Sequence, residues 1–150
     1  YLAKPSYAQG FQTNYQGLQI SKELQTQNCS TLMSLIDIRI QNFNTNQDQN
    51  FINYQVIDSK IQRLIESKAS QGLDVLELKS SLETYRDMTG DFKLKYLEFI
   101  GILEDAQKLG CGENKILFEI KVGEARNKLI YIKNLAEKII MLLNTINLPE

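Results

Sequence analysis

Residues 118–146 read FEIKVGEARNKLIYIKNLAEKIIMLLNTI, and the spacing of their apolar residues decides the fold class. These residues recur at alternating steps of four and three, a period that places them on one side of an α-helix. The positions are Phe118, Val122, Ala125, Leu129, Ile132, Ala136, Ile139, Leu143 and Ile146. We therefore predict one long amphipathic helix here.

Two earlier segments have the same spacing. The later of them is regular except at Thr89, whereas the earlier one has the polar residues Gln47 and Asn50 on its apolar stripe. The positions are Cys29, Met33, Ile36, Ile40, Phe43, Gln47, Asn50, Tyr54, Ile57, Ile61 and Leu64, and then Val75, Leu78, Leu82, Tyr85, Thr89, Phe92, Tyr96, Phe99, Leu103 and Ala106. No segment sustains the alternation of a β-strand, so we predict an all-α fold.

Short breaks separate the three helices. Gly72 suits the left-handed residue that ends a helix, and Asp74 with Glu77 forms a capping-box pattern for the next one. Because short connections favour antiparallel neighbours, we predict an elongated, coiled-coil-like antiparallel three-helix bundle over residues 21–150. A rise of about 1.5 Å per residue makes it a rod about 55–65 Å long. The predicted helices span about 22–69, 74–109 and 113–146.

The two cysteines, Cys29 and Cys111, were not used to build this topology and therefore test it. An up-down-up order returns the end of the second helix to the beginning of the first, where Cys29 lies. We favour a disulfide over two unrelated buried thiols. Since disulfides persist in oxidising compartments, this pairing predicts a secreted or cell-surface protein.

Residues 1–20 have no helical stripe and are predicted to form a non-helical N-terminal arm. Ser6 and Ala8 resemble the small residues at a signal-peptide cleavage site, so the arm is interpreted as a signal-peptide remnant or an assembly arm. An arm of this kind can be disordered, as termini often are, or it can dock on its own bundle or on a neighbouring subunit. Its candidate interaction residues are Tyr1, Tyr7, Phe11 and Tyr15.

Three groups of residues carry a resemblance to other proteins. They are Cys29, Leu32, Ile36, Arg39, Ile40 and Phe43; then Asp91, Phe92, Tyr96, Leu103, Cys111, Gly112 and Glu113; and last Glu124, Ala125, Arg126, Leu129 and Ile132. Over about residues 29–146 the chain resembles small secreted helical proteins of unknown function from Candidate Phyla Radiation bacteria (Patescibacteria). The resemblance implies export and a helical fold, and no particular activity.

Few residues are candidates for catalysis or metal binding. The chain has no histidine, which excludes the usual Ser-His-Asp triads, zinc–histidine sites and di-iron helix bundles. Glu83, Asp87 and Asp91 recur every fourth residue and could bind a hard cation, but their spacing supplies no converging further ligand. We favour a solvated face there, and expect no enzyme, no metal and no cofactor.

Charge and hydropathy restrict the partners. The net charge is −1 and both signs are mixed along the chain, so we expect no nucleic-acid partner. No stretch approaches the roughly 20 consecutive apolar residues of a transmembrane helix, so we expect no transmembrane segment. A protein, either a second copy of this chain or a surface partner, remains the expected partner.

Two features of the helices leave alternatives open. The stretch 41–50 is rich in Asn and Gln and is a hinge, an interface or, more simply, a set of polar core positions that fix the helix register. We expect Thr89-Gly90 to lie about level with it in the neighbouring helix. The third helix also has apolar residues off its main stripe: Ile116, Ile120, Ile130, Ile140 and Leu142. We favour broad burial of these residues against two neighbours, whereas exposure would indicate a contact surface.

We therefore expect a non-enzymatic secreted or cell-surface helical protein with a structural or protein-interaction role. Self-assembly into a homo-oligomer or filament is one form that this role could take. The alternative is an exported helical chaperone that binds unfolded clients at an apolar face. Ordered self-association would favour the first role, and suppression of client aggregation would favour the second.

Overall fold

The structure is a computed structural model that describes residues 29–112, 114–146 and 148, except for the side chain of Asn50. It contains three α-helices: α1 Cys29–Ser70, α2 Leu76–Leu109 and α3 Lys115–Ile146. The described residues include no β-strand, so the predicted all-α three-helix fold is confirmed. The predicted arm at 1–20, with Tyr1, Tyr7, Phe11 and Tyr15, and the predicted helix start near 22 lie outside the described residues.

Gly72 and Asp74 shape the connection between α1 and α2. The predicted capping box of Asp74 with Glu77 is wrong, because the N-cap of α2 is Val75 and has no side-chain cap hydrogen bond. Gly72 has φ +73°, in the left-handed region that glycine enters at no steric cost. The Leu73 N–H donates to the Lys68 carbonyl at 3.1 Å, which satisfies a carbonyl group at the end of α1. Asp74 accepts a hydrogen bond from the Leu76 N–H at 2.9 Å. The chain therefore reverses within a few residues, and α2 runs back along α1.

The predicted stripes form the core of the bundle. Apolar stripe residues of all three helices are buried, and the largest fully buried side chains are Tyr85, Phe118, Ile61, Ile132 and Ile139. None of the described polar or charged residues is buried. Gln47, predicted on the α1 stripe, is only half-buried, and the side chain of Asn50 is outside the description. Burying an aliphatic or aromatic side chain contributes about 1.5–3 kcal/mol, so this core is the main source of stability.

The three helices are not equivalent in their packing. α2 is the central helix: it packs against both α1 and α3, and more closely against α3. The backbones of α1 and α3 approach each other far less. We call each line of contact between two helices a seam, and the bundle therefore has two well-formed seams, α1–α2 and α2–α3, and one more open seam, α1–α3.

The Asn/Gln-rich stretch 41–50 is helical throughout and does not interrupt α1. The ring of Phe43 lies 5.0 Å from that of Tyr96, which places this stretch opposite the middle of α2. Tyr54 is opposite Phe92, with ring centroids 5.4 Å apart. Since Thr89 precedes Phe92 by less than one turn, it is nearer the height of Tyr54 than of Phe43. The expectation that Thr89-Gly90 lies level with residues 41–50 is therefore wrong, because the register of the aromatic pairs offsets them.

Candidate contact surface and the disulfide

The structure pairs Cys29 with Cys111 in a disulfide, as the topology predicted. Their Cα atoms are 5.7 Å apart, within the range in which two cysteines can be bridged without moving the backbone. Gly110, with φ +62°, ends α2 and turns the chain toward the first residue of α1. The bond closes a loop with a sequence separation of 82, so it constrains most of the α1–α2 pair.

Aromatic side chains fill the α1–α2 seam. Phe43 packs against Tyr96 and Tyr54 against Phe92. The Tyr85 hydroxyl crosses the seam and donates to the Tyr54 carbonyl at 3.1 Å. Burial, and secondarily the negative charge of Asp58, raises the pKa of Tyr85, so this phenol stays protonated as a donor.

Polar side chains also join α1 to α2 at the edge of this seam. Arg86 donates to both carboxylate oxygens of Asp58, at 2.6 Å and 2.9 Å, and the hydrogen bond raises the pKa of Arg86. Gln107 donates to Asp37 at 3.0 Å nearer the disulfide. Such exposed contacts contribute little energy, but a bidentate pair restricts the register of the two helices.

A different polar group crosses the α2–α3 seam. Glu98 accepts hydrogen bonds from Lys128 at 2.6 Å and from Lys95 at 3.0 Å, and these bonds lower the pKa of Glu98. Tyr131 donates to Asp91 at 2.7 Å. These pairs show that α3 runs antiparallel to α2, because Lys128 and Tyr131 meet residues in the reverse order.

The acidic residues proposed as cation ligands do not converge. Glu83 and Asp87 are exposed, and Asp91 is half-buried and accepts its hydrogen bond from Tyr131. Within the described part of the chain, no group of three His, Cys, Asp or Glu side chains could hold a metal ion. Nor does any helix of that part have a stretch that is both long and apolar enough to cross a membrane.

The side of α3 that faces away from the core carries exposed aliphatic residues. Ile116 is 75% exposed, Ile120 51% and Ile130 52%. The expectation that these off-stripe residues would be buried is therefore wrong for all three, because α3 has a close neighbour on one side only. Ile140 and Leu142 are half-buried, which agrees in part with that expectation. Sequence reasoning did not single out Met141, which is 67% exposed on the same side.

These exposed residues belong to a second stripe on α3, opposite the core stripe. Its members recur at alternating steps of four and three residues, as the core positions do. They are Ile116, Ile120, Gly123, Asn127, Ile130, Asn134, Glu137 and Met141, and we call this set the outer stripe. Only Glu137 among them is charged. Four of its eight members are isoleucine or methionine and one is charged, and a nearly uncharged stripe of this spacing has the pattern by which one helix packs on another.

Comparison with known proteins adds no relative to this description. No family model, no curated protein and no solved structure matches the chain. The resemblance to secreted Patescibacterial proteins therefore stays a prediction.

Proposed function

We propose that this chain is a non-enzymatic secreted or cell-surface protein that acts through protein contact, as a structural subunit or an interaction module. The outer stripe of α3 carries the proposal. Ile116, Ile120, Ile130 and Met141 are each more than half exposed on one side of a single helix. Aliphatic residues grouped on one exposed face are typical of protein-interaction surfaces, whereas isolated ones need no explanation.

The chemistry of the outer stripe favours a helix as the contacting element. Its heptad spacing matches the knobs-into-holes packing of coiled coils, and Asn127 and Asn134 occupy positions where polar residues set register at some expense of stability. A second copy of this chain has the same stripe to offer. Self-association through α3 is therefore the form of the proposed contact that we would test first.

The disulfide supports the proposed location. An intact Cys29–Cys111 bond needs an oxidising environment, as found outside the cell or in the periplasm. The bundle itself is a stiff spacer, since α1 has 42 residues and a helix rises about 1.5 Å per residue. A rigid, disulfide-bonded rod with a row of exposed aliphatic residues on one helix is well suited to a surface or structural role.

Sedimentation of the oxidised protein over a range of concentrations tests the proposal. We expect concentration-dependent association, and its loss in the double variant I120K/I130K, because two lysines would place charge in the middle of the stripe. The matched control is L94K/L97K, which charges two exposed leucines of α2 that are 56% and 45% exposed. Circular dichroism confirms that both variants keep their helices.

Two results would contradict self-association. One is a monomer at every concentration, and the other is equal weakening of association by I120K/I130K and L94K/L97K. A monomer that suppresses the aggregation of an unfolded client, and loses this ability in I120K/I130K, would favour the chaperone role instead. The two roles are thus separated with the same pair of variants.

A further inference from the structure

The uncovered side of α2 has its own regular row of residues. α2 contacts α1 through Arg86 and Gln107, and it contacts α3 through Asp91 and Glu98. Between these two flanks, residues at alternating steps of four and three lie on the outward side of α2. They are Glu83, Asp87, Gly90, Leu94, Leu97, Gly101, Glu104 and Lys108, and we call this set the α2 stripe. All of them are exposed except Gly101 and Glu104, which are half-buried.

Two leucines form the centre of the α2 stripe. Leu94 is 56% exposed and Leu97 is 45% exposed. They are three residues apart and therefore adjacent on the helix surface. Because α2 is the central helix, α1 and α3 pack on its two flanks and leave these leucines uncovered. A single pair of exposed leucines is ordinary on a protein surface, so the residues on either side of the pair decide whether a partner is expected.

A glycine lies on each side of the leucine pair, at Gly90 and Gly101. Glycine inside a helix lowers stability relative to alanine. A Cβ atom added at either position would meet no other atom within 4 Å, so packing within the described part of the chain does not require glycine there. Glycine does allow the backbone of another molecule to approach closely. The two glycines are therefore explained by contact with a partner and not by contacts within the bundle.

Acidic residues lie at both ends of the α2 stripe. Asp87 precedes Gly90 by three residues, Glu104 follows Gly101 by three, and Glu83 extends the acidic end nearer the start of α2. None of these three carboxylates forms an ion pair with a described residue. The apolar centre of the stripe is thus flanked by uncompensated negative charge on both sides.

The cations that border the α2 stripe are engaged with other groups. They are Lys95 and Lys128 with Glu98, Lys108 with Asp105, Arg86 with Asp58, and Lys93 over the ring of Phe51. The charge that the stripe offers to a partner is therefore negative at both ends. Complementary charges across a contact select partners and speed their association, so the complementary partner is basic at both ends.

We propose that the α2 stripe binds an amphipathic helix of another protein that is apolar at its centre and has Lys or Arg at both ends. The leucines supply the apolar contact, the glycines allow close approach, and the carboxylates meet the basic ends. Asp87 and Glu104 are about 25 Å apart along α2, which sets the separation of the basic groups. This surface goes beyond the self-association proposed above and does not depend on it, because the outer stripe belongs to α3.

Fluorescence anisotropy with a synthetic probe peptide tests the site. The probe is an alanine-based helix of about 25 residues, with leucines on one face of its middle heptads and lysines in its first and last turns. A second peptide has glutamates in place of the lysines. We expect saturable binding of the lysine peptide that weakens with added salt, and binding of the glutamate peptide that is weaker by about tenfold or more.

Paired variants separate the apolar and charged contributions of the α2 stripe. L94K/L97K and the uncharged L94Q/L97Q should each weaken binding by about tenfold or more. I120K/I130K adds the same charge to the outer stripe and should bind as the wild type does. D87N/E104Q should weaken binding and reduce its salt dependence. D48N/E66Q is the control, because it removes the same charge from exposed positions of α1.

The glycines give a readout that a purely structural role would not produce. G90A/G101A should raise the melting temperature, because alanine is the better helix former, and should weaken binding of the lysine peptide, because each added Cβ blocks close approach. Unchanged or tighter binding in G90A/G101A would contradict a contact at the glycines. Circular dichroism checks that every variant keeps its helices.

Three results would each overturn the proposal. They are equal binding of the two peptides, wild-type binding by L94K/L97K, and equal weakening by I120K/I130K, which would assign the peptide to the outer stripe. Loss of self-association in L94K/L97K alone would assign the α2 stripe to a second copy of the chain instead. A monomer that still binds the lysine peptide would contradict self-association and support this site, and an associating protein that ignores the peptide would do the reverse.

Discussion

The two well-formed seams of the bundle are built from different side chains. In the α1–α2 seam, aromatic rings meet across the interface, with Phe43 against Tyr96 and Tyr54 against Phe92. α2 and α3 instead carry buried alanines, namely Ala106, Ala125 and Ala136. α3 packs more closely on α2 than α1 does. The difference follows from side-chain size, since the side chains at the contact set the distance between helix axes.

Different interactions therefore stabilise the α1–α2 seam and the α2–α3 seam. On α3, Ile132 and Ile139 are completely buried in the core, so the packing of aliphatic side chains stabilises this helix against its neighbour α2. The α1–α2 seam has a covalent link, the disulfide, at one end and the bidentate Arg86–Asp58 pair nearer the other, whereas the α2–α3 seam is linked only by the polar contacts of Glu98 and Tyr131 among the described residues. Removing the disulfide should therefore affect mainly the α1–α2 seam, and removing buried aliphatic volume from α3 should affect mainly the packing of α3.

The largest effect is expected from removing the disulfide with the double variant C29S/C111S. A loop of this length constrains the unfolded chain by about 4.5 kcal/mol in the entropic model, so the free energy of unfolding should fall by up to that amount. Urea unfolding measures the loss. Hydrogen exchange should show reduced protection in the first turns of α1 and little change in α3. Equal loss of protection in both helices would contradict the distinction between the seams.

The next largest effect is expected from Ile132→Ala, which tests how much the buried aliphatic side chains of α3 contribute to stability. Ile132 is 0% exposed, so a cavity would form and the free energy of unfolding should fall by about 2–5 kcal/mol. Ile130→Ala is the matched control two residues away. Ile130 is 52% exposed, and its removal should change stability by less than about 0.5 kcal/mol. Similar losses in both variants would mean that the two sides of α3 are not distinct.

A smaller effect is expected from Tyr85→Phe, which removes the hydroxyl that crosses the α1–α2 seam. That hydroxyl is buried and donates to the Tyr54 carbonyl, so the loss should be about 1 kcal/mol by thermal or urea unfolding. Tyr131→Phe is the control in the α2–α3 seam. The Tyr131 hydroxyl donates to Asp91 on the surface, where water replaces the lost contact, and the effect should be smaller. A larger loss of stability in Tyr131→Phe than in Tyr85→Phe would contradict this prediction.

The smallest effect is the pH dependence of the Glu98 contact in the α2–α3 seam. Its hydrogen bonds with Lys128 and Lys95 lower the pKa of Glu98 below the ordinary value of 4.5. The stabilisation is therefore complete above that value and is lost as the pH falls through the lower folded value. The difference in melting temperature between the wild type and E98Q should shrink at acid pH. A difference that stayed constant would show that charge pairing at Glu98 does not stabilise the seam.

The sequence predicted much of the fold because helical spacing and caps are local properties. The stripes around Ile61, Tyr85 and Ile132, and the turn at Gly72, depend on residues close to one another in the chain. The pairing of Cys29 with Cys111 followed from the topology. The height of Thr89 relative to residues 41–50 did not, because it depends on which aromatic rings meet across the α1–α2 seam.

The sequence also could not decide which surfaces are covered. Ile116 and Ile140 both lie off the main stripe of α3, yet one is exposed and the other half-buried. The partners of Glu98 and the lack of one for Arg126 were equally beyond prediction. Each depends on the rotation of a helix about its own axis and on its distance from both neighbours. All the contacts of the bundle set these quantities together.

By itself, the sequence determined three amphipathic helices, their reversals, and the pairing of the cysteines. These features rest on a period of 3.6 residues, on turn residues, and on the order in which antiparallel helices return along one another. Only the tertiary structure decided that α2 is central, that the outer stripe of α3 is uncovered, and that Glu98 meets Lys128 across the α2–α3 seam. The physical reason is that packing distances follow side-chain volumes summed over whole seams, which no local pattern contains.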